Sequence, residues 1–477
     1  MNITLAVIFL VIGLLLPFKS LFSVLANWLL SLRDWRALAI LDFIIAVPLI
    51  IWSAGTSNWY YYTVWIAIFT IGLVTLLEGI YLMLTDSLVY KSHLQFFMKY
   101  YYAIAIPMAI LIIGLSAFIL GRAYIGPIVE ISSCETGQHL SFSCAVNNPE
   151  DLVVTPDNQF IIVSEFGSLK PLNETGAGSL ALLKIDTKRR VPLPIIYSDN
   201  IWGDGRCEKN ADSPFGPHGL DLVTRDDGRH QLAVINHMEH ESVEIFELVA
   251  LEQESDVGTE NVERVNQWGL VWRGCAVAPR KNFINDLSLL ADGSFFVSHM
   301  YDKDFSINDF LTTAITGQDT GYVMHWDQQN GFSEVTGTKG AQPNGIAYDE
   351  EQGFLYISFN LSDKVALIDL ESAETLHSFS LNAPDNLVLK DGSLWVTNLD
   401  HETLDVLSCE DKSPCALPFT VTELDATTLE KLNSWSFSAE PFGLPSVALP
   451  LGTEVLIGSF RSDRLAFFNI DAETTYE

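Results

Sequence analysis

The sequence predicts an all-β six-bladed β-propeller fused to an N-terminal α-helical transmembrane domain of about four spans, and three observations carry that expectation. The charge is segregated: 477 residues hold 59 Asp and Glu against 27 Lys and Arg, yet residues 1–124 contain four acids (Asp34, Asp42, Glu78, Asp86) and six bases. The remaining 353 residues therefore carry 55 acids and 21 bases, so the acidity belongs to one part of the chain. The N-terminal part holds four long apolar runs, and the acidic part repeats one hairpin pattern six times. The expected boundary gives a membrane domain at 1–124 and a propeller at 125–477. A formal charge of -32 repels a phosphate backbone, which needs clustered Lys and Arg to replace its counterions, so nucleic acid is excluded as a partner.

The apolar runs are residues 3–18, 37–54, 60–84 and 101–120. They match or approach the length that crosses a hydrocarbon core of about 30 Å at about 1.5 Å per residue. The first is the shortest, and a cleaved signal peptide is its rival; no basic residue precedes it and no clean small-residue cleavage site follows, which favours a retained helix. Lys19, Arg33 and Arg36 lie between the first two runs and Lys91 and Lys99 between the last two, whereas residues 55–59 carry no charge. Lys and Arg near membrane ends stay cytoplasmic, so an integral, multi-pass protein is expected, with both ends of the membrane unit and the propeller on the non-cytoplasmic side: the periplasm of a Gram-negative cell, a lumen or exterior otherwise. Tyr and Trp crowd the run edges at 59–62 and 100–102, as contact with membrane lipid favours. Asp42 and Glu78 are ionisable groups inside apolar runs, where function, an interfacial position and a sealed bundle all remain open.

All six cysteines (Cys134, Cys144, Cys207, Cys275, Cys409, Cys415) fall in the acidic part, an even number suited to an oxidising compartment. Cys134 with Cys144 and Cys409 with Cys415 are near enough for local loops, but six cysteines allow 15 pairings and connectivity stays open. No C-x2-C pair supports zinc, and His237 with His240 is a weak match to a zinc pattern. N-x-S/T sites stand at Asn173 and Asn360.

The six repeats begin at Glu150, His218, Asn285, Asn344, Asp385 and Pro445, at intervals of 68, 67, 59, 41 and 60 residues. The recurring pattern is a polar pair, which opens most of them, an alternating apolar strand, an Asp-, Gly- or Pro-containing turn and a second apolar strand, as in EDLVVTPDNQFIIVSEF from Glu150. Period-2 alternation around such turns signals a hairpin, and most intervals leave room for two more strands. Six such units with no long helix between them favour radial closure over a sandwich or solenoid.

In a propeller the innermost strand of each blade lines the axis, so the opening residues converge: Glu150, His218, Asn285, Asn344 and Asp385, with Asp151, Asp286 and Asn386 one residue on. Carboxylate and amide oxygens facing one another would be costly if buried unpaired. A hard cation taking six to eight oxygens relieves that cost, and calcium suits the set. The competing explanation is that these side chains only cap strand ends through hydrogen bonds.

The segments EDL at Glu150, PHGLDL at Pro217, VINHMEHESVEIFEL at Val234, NDL at Asn285, PNGI at Pro343 and DNLVLKDGSLWV at Asp385 resemble, in order and approximate spacing, the paraoxonase/arylesterase family of calcium-dependent lactonases, which shares the gluconolactonase-like propeller. The likeness covers most of residues 145–470 and not the membrane part, where that family typically keeps one hydrophobic helix. The resemblance implies two Ca2+ ions. Glu150, Asn285, Asn344, Asp385 and Asn386 would hold a catalytic one; Asp151, Asp286 and the main-chain carbonyl of Leu220 would hold a structural one. His218 and His237 would form the catalytic histidine dyad.

That chemistry is coherent. Bound calcium would polarise a lactone or ester carbonyl and stabilise the oxyanion, while an imidazole, titrating near neutrality, takes a proton from attacking water. This chain departs from the family at Ser298, where an acid is usual before His299, and at Leu399, where a histidine is usual, with Asn398 before it; no cysteine follows Cys415 to tie the chain ends. The expected function is thus a membrane-anchored calcium-dependent hydrolase of lactones or aryl esters. The alternatives are a gluconolactonase-like or strictosidine-synthase-like enzyme, and a non-enzymatic extracytoplasmic sensor whose calcium is structural and whose channel is plugged by a loop such as 202–217. A serine hydrolase is disfavoured because no G-x-S-x-G elbow occurs. Acyl-chain preference and oligomeric state are not legible.

Overall fold

The computed structural model describes residues 2–32, 35–55, 59–122, 125–126, 134, 136–167, 169–170, 174–205, 207–251, 267–401, 405 and 414–471. Arg33, Asp34, Asn173 and Cys409, and with Cys409 the local loop it is near enough to form with Cys415, lie outside them. The chain divides into two compact units, Met1–Pro127 with His401–Glu410 and Glu477, and Ile128–Asp400 with Asp411–Tyr476.

The first unit is helical. Three of its helices, Arg36–Ala54, Thr63–Leu84 and Tyr101–Gly121, are long and apolar enough to cross a membrane. The expected first span over 3–18 is corrected: a helix runs Asn2–Leu15, the chain breaks at Pro17, which cannot donate the next backbone hydrogen bond, and a second helix Lys19–Ser31 leaves at 91°. Counting that bent pair as one span gives four. The basic connection between the last two spans is also helical, Ser87–Lys99, with Asp86 accepting the Leu88 N–H as its cap at 2.8 Å. Small residues set the packing. Gly72 and Gly79 bring Thr63–Leu84 against the Ala46 and Ala39 carbonyls of its neighbour, where a Cβ would come within 3.2 Å of each. Ser116 donates to the Ala6 carbonyl at 2.7 Å and Tyr101 to the Leu16 carbonyl at 2.6 Å, tying the last helix to the first.

The second unit is a six-bladed propeller. Its innermost strands, Pro149–Val154, Pro217–Thr224, Asn282–Leu289, Pro343–Asp349, Pro384–Lys390 and Pro445–Leu451, touch one another in a closed ring. Five start on proline, which has no N–H to lose at a strand's first residue. Five blades build their sheets outward in chain order, and the second adds Ile195–Tyr197 as a fifth, parallel strand. The last blade borrows its outer strand from ahead of the first: Ser141–Ser143 pairs with Leu465–Asn469, which closes the ring.

Alternation drives the packing, because successive strand residues face opposite sides. In the first blade Phe160 and Ile162 pack toward the second blade, while Ile161 and Val163 pack toward the last. Leu232 and Val234 likewise face the first blade, and Ala233 and Ile235 the third. Each of the six interfaces between blades thus has its own apolar core. The fourth strand Glu374–Ser380 is an exposed edge, whereas the second blade's fourth strand, Gln267–Val277, is largely buried beneath its added fifth. The longest helix in this unit is Ile307–Thr316, started by a Ser306–Asp309 capping box and ended by left-handed Gly317. Disulfides join Cys134 to Cys144 and Cys207 to Cys275.

Candidate functional site

Every innermost strand breaks register with its neighbour at one equivalent place. Pairing skips at residues 150, 218–219, 285–286, 344–345, 385–386 and 446–447. Bulges re-aim side chains and are frequent beside functional sites. Here they fall at the start of the repeats, on Glu150, His218–Gly219, Asn285–Asp286, Asn344–Gly345, Asp385–Asn386 and Ser446–Val447.

Glycine permits the close approach this needs. A Cβ on Gly219 would lie 2.6 Å from the Asn285 carbonyl oxygen and 2.8 Å from Asp286 Cα, and one on Gly345 would lie 2.4 Å from Asn386 Cα. The glycines of PHG and PNG therefore let each inner strand touch the next blade's polar pair.

The structure brings together residues distant in sequence. Asn386 Nδ2 donates to Glu150 Oε1 at 2.9 Å across 236 positions. Asn344 donates to the Asp385 carboxylate. His218 Nδ1 lies 2.9 Å from the Asn285 carbonyl oxygen, and His218 Nε2 is 3.7 Å from Glu150 Oε1. A carbonyl only accepts, so Nδ1 carries the proton and Nε2 the lone pair. The His237 ring stands 4.9 Å from the His218 ring, and Phe166 lies against both.

Four buried oxygens, Glu150 Oε2, Asn285 Oδ1, Asn344 Oδ1 and Asn386 Oδ1, have no hydrogen-bond partner among the described residues. They come from four blades. The sixth blade supplies no such oxygen at its opening position, but Ser446 donates to the Glu150 carbonyl and so braces the strand that carries Glu150.

The electrostatics agree. Burial, then Asp385 and Asp286, hold Glu150 well above the ordinary carboxylate range, against the opposing Asn386 hydrogen bond. Desolvation pushes Asp385 up to about 7. Burial, then the neighbouring His237, pushes His218 down to about 3, so it is neutral at physiological pH. The 3.7 Å approach to Glu150 is therefore not an ion pair.

Asp151 and Asp286 occupy a different setting. Asp151 Oδ2 accepts the Leu220 N–H at 2.7 Å and Oδ1 the Leu152 N–H at 2.8 Å. Asp286 Oδ2 accepts the Ile346 N–H at 2.8 Å and Oδ1 the Leu287 N–H at 2.8 Å. Each thus sews its inner strand to the next blade's, and the group of Leu220 that meets Asp151 is its N–H. Asp221, which sequence reasoning passed over, does the same through the Leu289 N–H at 2.8 Å. Burial lifts both Asp151 and Asp286 well above the usual range, and a neighbouring carboxylate, Glu150 for the first and Asp151 for the second, adds to it. Ser298, the departure in the third repeat, accepts the Asp286 N–H at 3.0 Å, and Ser358 accepts the Gly345 N–H at 2.8 Å at the equivalent place. Asn398 accepts from Thr422 at 3.0 Å.

Sequence reasoning also missed Glu241, whose Oε2 is 2.9 Å from His237 Nδ1, and Phe283, whose ring stacks on His237 at 4.6 Å and 8°. An H-x3-E spacing was visible, but on a turn rather than a helix it carries no expectation of contact. Cys207, Glu244 and Cys275 lie close enough for a metal, but the two cysteines are joined as a disulfide.

No protein-family model matches the chain, and no curated protein matches it. Among solved structures it is similar to a luciferin-regenerating enzyme (10% identity, TM-score 0.41, covering 69% of this chain and 93% of that one). It is also similar to a gluconolactonase of Xanthomonas campestris (12%, TM-score 0.39, 72% and 97%) and to a putative gluconolactonase (14%, TM-score 0.38, 70% and 91%). At these identities and scores the likenesses assign neither family nor activity.

Proposed function

We propose that the chain is a membrane-anchored, calcium-dependent hydrolase of lactones or aryl esters, acting on the non-cytoplasmic side. The observation that carries the reading is the set of four buried oxygens, one carboxylate and three amide, contributed by four blades and without a hydrogen-bond partner among the described residues. Such atoms each cost about 1–3 kcal/mol when unsatisfied, and a carboxylate with three amides is a hard, oxygen-only donor set. The residues present fit a calcium ion: Glu150, Asn285, Asn344, Asp385 and Asn386 would hold it. When bound, the ion supplies Lewis-acid polarisation of the substrate carbonyl. Asp151 and Asp286, lifted by burial and then by a neighbouring carboxylate, would hold a second, structural cation with the Leu220 main-chain carbonyl, the Leu220 N–H itself being bonded to Asp151.

The protein's own groups do the rest. His218 keeps Nε2 unprotonated because Nδ1 donates to the Asn285 carbonyl, so Nε2 accepts a proton from water beside the Glu150 carboxylate. His237 sits next to it and takes up or orients that proton. Phe166 and Phe283 wall the pair and limit water.

The compartment rests on the disulfides, two of them among the described residues, which persist in an oxidising environment, and on the Lys and Arg distribution of the N-terminal unit. The test is hydrolysis of a panel of γ- and δ-lactones and phenyl acetate by purified full-length protein, with and without chelation, beside Asn285→Ala and His218→Gln. Loss of turnover on chelation and in both variants is expected. Calcium binding with no turnover of any substrate would instead make this a binding protein.

A further inference from the structure

We propose that Glu241 is the positioning residue of the histidine pair: its carboxylate fixes the proton of His237 on Nδ1 and so keeps Nε2 of that ring available as an acceptor next to His218. The inference rests on the hydrolase reading for its catalytic consequence, and on the geometry alone for the tautomer.

Glu241 lies in the turn between the strands His230–Asn236 and Ser242–Leu251 and is 5% exposed. Its Oε2 is 2.9 Å from His237 Nδ1. A carboxylate facing a ring nitrogen at that distance accepts, so in the neutral ring Nδ1 carries the hydrogen and Nε2 the lone pair. Nε2 of His237 is buried and has no partner among the described residues. A ring held for packing alone would not leave a nitrogen in that state, because a buried polar atom without a partner is destabilising.

The turn that carries Glu241 is anchored at both ends. The Ala278 N–H donates to the Glu241 carbonyl at 2.9 Å, and the His237 N–H donates to the Gly216 carbonyl at 3.0 Å, beside the strand that carries His218. The His237 ring is clamped face to face on Phe283 and edge-on to Phe166. The stack continues from Phe283 to Tyr301 at 5.1 Å and from Tyr301 to Phe305 at 4.8 Å, so the ring has a flat wall behind it. Turning the ring over to exchange its nitrogens would break the bond to Glu241.

The other contacts of the carboxylate are weak. Oε2 takes the Ile284 N–H at 3.4 Å, and Oε1 is 3.9 Å from Nζ of Lys303, which is 41% exposed. A buried acid with so little else to do is expensive as mere structure, since an apolar side chain would fill the space without a desolvation cost. Its short bond goes to a histidine. His218 has the matching arrangement, with a carbonyl in place of the carboxylate, so both rings present Nε2 lone pairs at once. They differ in what happens on protonation: an imidazolium at His237 lies against a carboxylate, while His218 has a carbonyl at its Nδ1. The arrangement directs a proton taken from water at His218 onward to His237.

The experiment uses full-length calcium-loaded protein with [15N]histidine, the His237 signals being assigned by their loss in His237→Asn. In the wild type at pH 7 to 8, His237 should show a protonated Nδ1 and an unprotonated Nε2; Glu241→Gln, whose amide oxygen still accepts, should keep that state, and Glu241→Leu should lose it. Turnover of the best lactone should fall about 10- to 100-fold in kcat for Glu241→Leu, with KM within about twofold, the range typical of a residue that orients another, and Glu241→Gln should recover part of it. Calcium affinity and the thermal midpoint should stay close to wild type. An unchanged His237 tautomer in Glu241→Leu overturns the proposal, as does a fall in kcat that only tracks lost calcium or lost folding. If the wild type hydrolyses nothing, the hydrolase reading fails on its own, and the tautomer comparison still decides the role of Glu241.

Discussion

Asn285 shows how a single side chain separates a binding role from a structural one. Its backbone carbonyl accepts from His218, while its amide oxygen is buried with no partner among the described residues. Asn285→Ala removes that oxygen, so the two states should respond in opposite directions. The thermal midpoint of the chelated variant should equal or exceed that of the chelated wild type, because a desolvated acceptor is gone. The calcium-loaded variant should melt lower, and calcium affinity should fall on the order of tenfold or more with one ligand lost; calorimetry with and without calcium reads both. Asp385 adds a pH dependence. With its folded value pushed up to about 7, it is largely protonated below that pH, and a cation must displace the proton. Calcium affinity should therefore rise by about tenfold per pH unit from this group up to about pH 7 and then flatten. Titrations between pH 5 and 8.5 check the sign, and an affinity that falls as pH rises would contradict it.

At the scale of the element, the bulged inner strand is the unit that builds the site. Gly219→Ala would force a Cβ to within 2.6 Å of the Asn285 carbonyl and 2.8 Å of the Asp286 backbone. Overpacking against backbone costs about 1–3 kcal/mol, and here the displaced atoms include a candidate calcium ligand. Stability and calcium affinity should therefore fall together, whereas Gly228→Ala, at a turn where a Cβ meets nothing within 4 Å, should lose stability without losing calcium. Much of this was legible in the sequence. The unbroken apolar run FIIV at 160–163 announces a strand buried on both faces, and the polar residues that open most repeats mark the ring, because one is a local run and the other a recurrence, both visible in sequence. The bend at Pro17, the helices Lys19–Ser31 and Ser87–Lys99 and the His237–Glu241 bond were not, because hydropathy alone does not separate a helical connection from a loop and a turn contact has no period. Cys207 and Cys275 are 68 residues apart, so only the fold brings them together.

For the whole molecule, the buried carboxylates make stability depend on pH and calcium together. Glu150, Asp151 and Asp286 are held well above their ordinary range, and Asp385 is raised to about 7. A raised carboxylate keeps its proton in the fold after the unfolded chain has released its own. Its contribution is thus complete below about pH 4 and is lost as pH rises through the folded value. His218, pushed down to about 3, works in the opposite sense: its contribution is lost as pH falls below about 6.5 toward 3. The carboxylates act unopposed by it above about pH 6.5. The chelated protein should lose thermal stability as pH rises above about 6.5 and through the Asp385 value of about 7, and saturating calcium should reduce or abolish that loss.

The membrane unit adds a second expectation at this scale. Lactones with long acyl chains partition into bilayers, so protein lacking residues 1–124 should keep turnover of short-chain lactones and lose part of the preference for long ones. Identical acyl-chain profiles for the two forms would contradict a substrate-concentrating tether. The proposed hydrolysis depends on whether the converging oxygens bind a cation. The most direct measurement is calorimetric titration of chelator-stripped, full-length protein with calcium at pH 7.5, with Asn344→Ala and Asn386→Ala titrated in parallel. Saturable binding by the wild type, weakened about tenfold or more in each variant, is the expected result. Absence of binding, or equal affinity in all three, would contradict a calcium centre where the inner strands converge.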